Sequence, residues 1–175
     1  MPVIRCTQKL LTEIGSSGAE NPELSDLPLD EWYANLVILD RQKCVVFINP
    51  ATLFVAISYG KRRNELRQLQ QILMESLRQA LTAEEVEAGV IDRVVQRLEA
   101  APIAETQDRK TLGCLNDVIR HFKWLSEREV PETKIKGVVK MLNRIPWVRT
   151  QFGYALIPME QILHESFEWS GRFEK

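Results

Sequence analysis

The run from Trp32 to Tyr59, WYANLVILDRQKCVVFINPATLFVAISY, constrains the fold more than any other part of the chain. Leu36 to Leu39, Cys44 to Ile48 and Leu53 to Ile57 are rich in β-branched and aromatic residues, the composition of strands. Asp40-Arg41-Gln42-Lys43 separates the first two runs. Asn49-Pro50-Ala51-Thr52 separates the second from the third, with Asn and Pro in the first two places, as a type I turn prefers. Three strands joined by tight turns near Arg41 and Ala51 predict an antiparallel meander. Consecutive residues within each run are apolar, so both faces of the sheet need cover. Helices from the rest of the chain must supply it.

Val3 to Cys6 reads as a further short strand. Thr7 then offers a helix N-cap, Leu10, Leu11 and Ile14 an apolar face, and Gly15 a stop. Residues 15–30 are rich in Ser, Gly, Pro, Asn and acids, and are expected to form a mobile loop. After the meander, Leu66, Leu69, Leu73, Leu77 and Leu81 mark a helix of about five turns. Thr82-Ala83-Glu84-Glu85 has the capping-box pattern and predicts a restart, with Val86, Val90, Val94 and Leu98 as the new ladder and Pro102 as its end. A third helix carries Leu112, Leu115, Ile119 and Phe122, and a fourth Ile135, Val138, Val139 and Leu142. Pro158 stands at the N1 position of a last helix with Met159, Ile162, Leu163 and Phe167. The expected fold is α+β: a small, mainly antiparallel sheet, made of the three-strand meander plus the N-terminal strand. Helices from the C-terminal half cover it, in a single domain over residues 1–175.

Composition excludes several function classes. A formal net charge of −1 gives no global attraction to nucleic acid or to an anionic membrane surface. Nucleic-acid binding would have to rest on the local patch of Lys61, Arg62 and Arg63, with Arg67; the plainer reading is a solvated turn between strand and helix. Cys6, Cys44 and Cys114 are odd in number, widely spaced and set within predicted strands or a helix. Buried thiols in a reducing cytoplasm are the simplest account. His121 and His164 are too few and too distant to build a zinc site, so no metal and no cofactor are expected. No apolar run approaches a membrane span and no signal-peptide core opens the chain, which makes a soluble cytoplasmic protein the expectation.

The most suggestive polar group combines Arg5, Thr7, Trp32, Asn35 and Asn116. Arg5 alternates with Ile4 and Cys6 on the first strand, and Asn35 shares a face with Tyr33. Asn116 falls at the border of the third helix's apolar stripe, so a sheet face and a helix edge could gather these side chains around a ligand pocket. The alternative is a purely structural network, with the asparagines capping backbone groups and Arg5 paired to an acid such as Asp117. Cys-His catalysis is poorly served: Cys114 and His121 are two helical turns apart, roughly 10 Å. The paired carboxylates Asp26 with Asp30, Glu84-Glu85, and Glu127 with Glu129 sit at helix ends or in loops, where acids serve helix dipoles and solubility. Trp124 projects opposite Leu115 and Phe122, which calls for either a helix buried on two sides, the favoured reading, or an exposed contact patch.

Several stretches carry a resemblance. Ile4-Arg5-Cys6-Thr7-Gln8-Lys9-Leu10-Leu11, Trp32-Tyr33-Ala34-Asn35-Leu36 and Arg41 to Phe47 are similar to the opening and central hairpin of a small bacterial family known as a domain of unknown function. Leu112-Gly113-Cys114-Leu115-Asn116-Asp117 and Leu142-Asn143-Arg144-Ile145-Pro146 resemble its later motifs. The resemblance runs from Ile4 to about Leu163 and is weakest over Glu84 to Ala101. It implies one complete domain and supplies no activity, substrate or catalytic residue. With no nucleophile, metal or phosphate motif in the chain, a non-enzymatic binding or interaction domain for a protein or small ligand is the expected function. The alternative is an enzyme using the polar pocket.

Overall fold

The computed structural model of the protein describes residues 1–19, 22–23, 25–128, 135–146 and 154–174. Three β-rich runs form the expected meander: β2 (Glu31–Leu39), β3 (Gln42–Ile48) and β4 (Val55–Ser58) pair antiparallel in succession. Asp40 and Arg41 both take left-handed backbone angles, with φ of 49° and 65°. Two such residues close a primed two-residue hairpin, whose twist matches that of the strands. The second connection is longer than a type I turn. The Leu53 amide donates to the Asn49 carbonyl, four residues back, and Leu53 is itself left-handed. The Asn49 side chain holds this loop: its amide donates to the Pro28 and Glu31 carbonyls, and its oxygen accepts from Ala51 and Thr52. The third strand therefore begins at Val55, two residues later than expected.

β1 (Val3–Cys6) inserts beside β2 in parallel, with Val3 opposite Glu31 and Arg5 opposite Tyr33. On its other side runs β5 (Ile103–Glu105), also parallel. Among the described residues the sheet is thus five-stranded and mixed, in the order β4-β3-β2-β1-β5. The expectation of four mainly antiparallel strands is corrected here. Pro102 does not terminate a helix; it precedes β5, and its carbonyl accepts from the Ile4 amide. A proline is tolerated there because it stands outside the strand.

The helices are α1 (Gln8–Ile14), α2 (Arg63–Leu66), α3 (Leu69–Ala83), α4 (Ala88–Gln96), α5 (Arg109–Arg128), α6 (Ile135–Leu142) and α7 (Leu156–Phe167). Gly15 ends α1 in the left-handed conformation, its amide reaching back to Leu11 and Thr12. Most apolar positions of the predicted helices are buried, including Leu69, Leu73, Leu77 and Leu81 on α3 and Val138, Val139 and Leu142 on α6, while Leu112, Ile119 and Ile162 are partly buried. Three local readings are corrected. The Leu66 to Leu81 helix divides into α2 and α3. Thr82 lies inside α3 and caps nothing: the chain leaves that helix through Glu84 and the left-handed Glu85 and re-enters at Ala88, with Glu87 at the cap. Pro158 sits at the third position of α7, where its missing amide is still one the helix cannot use.

α5 lies across β2 and β3, α3 runs along β4, and α6 bridges β4, α3 and α5. Trp32, Phe47, Phe54 and Phe122 lie in the fully buried centre. Trp124 is 51% exposed, which corrects the favoured reading of a doubly buried helix. α5 is an outer layer, so its far side faces outward.

Candidate functional site

Alternation along β2 puts Glu31, Tyr33 and Asn35 on one face of the sheet, and the parallel register brings Arg5 onto the same face. Arg5 is only 3% exposed. Its Nε donates to Glu31 Oε1 at 2.5 Å, and a terminal nitrogen donates to the Glu105 carbonyl. A buried guanidinium needs such partners, since an uncompensated one would cost several kcal/mol, roughly 3–5 when its partner is removed.

Over this face stands the first turn of α5. Asp108 caps it, accepting from the Lys110 and Thr111 amides and from the Thr111 hydroxyl. The Thr111 hydroxyl and the Lys110 amide hold the Asp108 carboxyl below the usual carboxylate range. Burial, and then the negative charge of Glu31, push the Tyr33 phenol up, so it stays protonated at neutral pH. Between the strands and this turn lies an open cleft of about 340 Å³, floored by Arg5, Glu31 and Tyr33 and rimmed by Pro50, Gln107, Asp108 and Thr111. A volume of this order suits a small molecule. Chemically the cleft offers a fixed hydroxyl donor and a charge-balanced ion pair.

The five residues of the expected polar group are placed as follows. Arg5 lies in the cleft floor. Thr7 and Asn35 meet each other, the hydroxyl donating to the Asn35 oxygen at 2.7 Å. Trp32 is fully buried on the opposite face and donates its indole N–H to the Leu29 carbonyl. Asn116 is exposed on α5, one residue beyond the buried Leu115. Asp117 pairs with Arg120, not with Arg5. Sequence reasoning missed Glu31, whose partnership with Arg5 depends on the parallel register. It also missed Asp108 and Thr111, although an Asp three residues before a Thr ahead of an apolar stripe is a legible cap.

The basic run diverges. Lys61 faces Glu75 on α3, Arg63 faces Glu13 on α1, and Arg62 and Arg67 are exposed. Cys6, Cys44 and Cys114 are buried free thiols; burial pushes Cys6 up to about 12 and Cys44 to about 11, which leaves both unreactive. His121 donates its Nδ1–H to the Asp117 carbonyl, and His164 its Nε2–H to the Gly171 carbonyl. Of the paired carboxylates, Asp30 is held by Arg97 and Glu84 by Arg144, each through two bonds, while Glu129 lies outside the described residues. Among the described residues no group of acids, histidines and cysteines could hold a metal ion, and no helix is long and apolar enough to cross a membrane.

A family profile described as a domain of unknown function (DUF6933) matches residues 3–160. The chain belongs to that family. The match takes in all five strands and reaches into α7. No curated protein and no solved structure matches the chain. The stretch Leu142 to Pro146 acquires a physical reason here. Asn143, in the Leu-Asn-x-x-Pro element, is fully buried, accepts from the Val55 amide at 2.7 Å and donates to the Val55 carbonyl. Its carboxamide takes the place of a neighbouring strand at the edge of β4.

Proposed function

We propose that this chain is a single-domain cytoplasmic binding protein, without catalysis of its own, that holds a small neutral or zwitterionic polar molecule in the Arg5–Tyr33 cleft. The observation that carries the reading is the geometry of the cleft, with the Tyr33 ring beside the Arg5–Glu31 pair and facing the Asp108 cap of α5. Tyr33 is kept protonated and Asp108 is kept ionised, and Arg5 is balanced by Glu31. General acid–base work needs a group able to exchange a proton near neutral pH. Fixed donors and acceptors suit recognition instead, and a balanced floor with one carboxylate, Asp108, on the rim favours a neutral or zwitterionic ligand over an anion. Keeping three buried thiols reduced fits the cytoplasm.

Ligand-observed NMR with neutral polar fragments tests this. Fragments that bind the wild type should be lost with Gln107→Trp, which fills the rim. They should weaken roughly tenfold with Tyr33→Phe, the effect of losing one good hydrogen bond. Fragments that bind both variants as well as the wild type would remove the cleft from consideration.

A further inference from the structure

A second cavity, sharing no residue with the first, lies at the far edge of the sheet. It has about 420 Å³ of space between the end of β4, the middle of α3 and the start of α6. Its chemistry is uneven. Ile57, Tyr59 and Ile135 form an apolar wall. Lys61, Lys136 and Glu75 stand around it with Gln79, two ammonium groups against one carboxylate, so one positive charge is in excess. The Lys61–Glu75 contact is long, at 3.5 Å, and Glu75 is largely in solvent. Lys136 is exposed in the first turn of α6, the end at which a helix favours anions.

Ser58 supplies the independent observation. It lines this cavity, is 5% exposed, and its hydroxyl has no hydrogen-bond partner among the described residues. Other buried hydroxyls are engaged: Ser76, in the same cavity, donates to the Ile72 carbonyl, Thr52 to Asn49, and Thr111 to Asp108. Among the described residues Ser126 is the one other exception. An orphaned buried hydroxyl costs free energy, and one placed against a polar cavity signals a partner that binds there.

We propose that this cavity binds a small organic anion. An apolar or aromatic body would lie against Ile57, Tyr59 and Ile135, and a phosphate or carboxylate head would take the Ser58 hydroxyl and the Lys61 and Lys136 ammonium groups. The cavity exceeds the needs of an inorganic ion and falls in the range of small-molecule sites, which is why the ligand carries a body as well as a head.

Titration of the intact ¹⁵N-labelled protein at constant ionic strength with phenyl phosphate, benzoate and the neutral benzyl alcohol tests the proposal. At least one anion should saturate with shifts centred on Ser58, Ser76 and Lys136, and the tighter of the two identifies the head group. Benzyl alcohol should bind far more weakly. Lys136→Glu, an exposed change that α6 tolerates, should weaken the anion by roughly tenfold or more, the worth of one charge-assisted contact. Ser58→Ala should also weaken it while melting no lower than the wild type, because no existing bond is lost. The proposal is overturned if neither anion saturates at this cavity, if Lys136→Glu binds like the wild type, or if the alcohol binds as well as the anions.

Discussion

The two edges of the sheet are secured by different chemistry. On the β1–β5 side the polar groups are charged: Arg5 is tied to Glu31 and to the end of β5, and Asp30, at the entry to β2, is tied to Arg97. On the β4 side the tie is a neutral amide, Asn143 on Val55. A charged tie depends on pH and salt, whereas an amide pairs with backbone under all conditions in which the protein is folded. The contrast also separates structure from recognition. The described polar groups of the first edge have partners, while the second keeps one hydroxyl in reserve.

The largest expected effect is at the neutral tie. Asn143→Ala leaves a buried amide and a buried carbonyl of Val55 unpaired. The expected loss is about 4 kcal/mol, at ~1–3 kcal/mol for each group, read as the shift of a urea unfolding midpoint. The loss should be the same at pH 7 and pH 4. A pH-dependent loss would break the comparison.

Arg5→Met should cost about 3 kcal/mol, the lower end for breaking a buried pair, since Glu31 retains some access to water. Urea unfolding at low and high salt should show this loss shrinking as salt rises, while that of Asn143→Ala stays fixed.

The smallest effect is at Asp30. Burial alone would raise its carboxyl, but the Arg97 bonds and the Ser25 hydroxyl outweigh burial and lower it. A depressed folded-state value means the stabilisation is complete above the unfolded value, about 3.9, and is lost as pH falls through the folded one. Asp30→Asn should therefore cost about 1–2 kcal/mol at neutral pH. The variant and the wild type should converge in acid. Parallel acid limbs in the two proteins would show that Asp30 is not the titrating tie.

The same contrast explains what could be read from the chain. The meander was legible because its turns are local: Asp40-Arg41 and Asn49-Pro50 announce themselves beside the strands they join. β5 was not, because three residues carry no period and their partner, β1, is about a hundred positions away in sequence. Arg5 stood out as a charge within an apolar strand, yet its partner could be named only once the parallel register was known. Asn116 looked equivalent on the helix stripe, but α5 turns that border outward. Ser58 gave no signal at all. A serine ending a strand is ordinary, and its missing partner is a property of α3 and α6 closing over it.

The closed edges have a consequence for how copies of this chain meet one another. A sheet normally grows by accepting a strand along its open border, which is the route to swapped dimers and fibrils. Here β4 is four residues long with Val55 already bonded by Asn143, and β5 is three residues long with Ala19 bridging Ala104 and bonding Ile103. Among the described residues, each border is short and already holds one such bond, which leaves little ladder for an incoming strand. Short, partly occupied borders of this kind work against zipping when such molecules are crowded together.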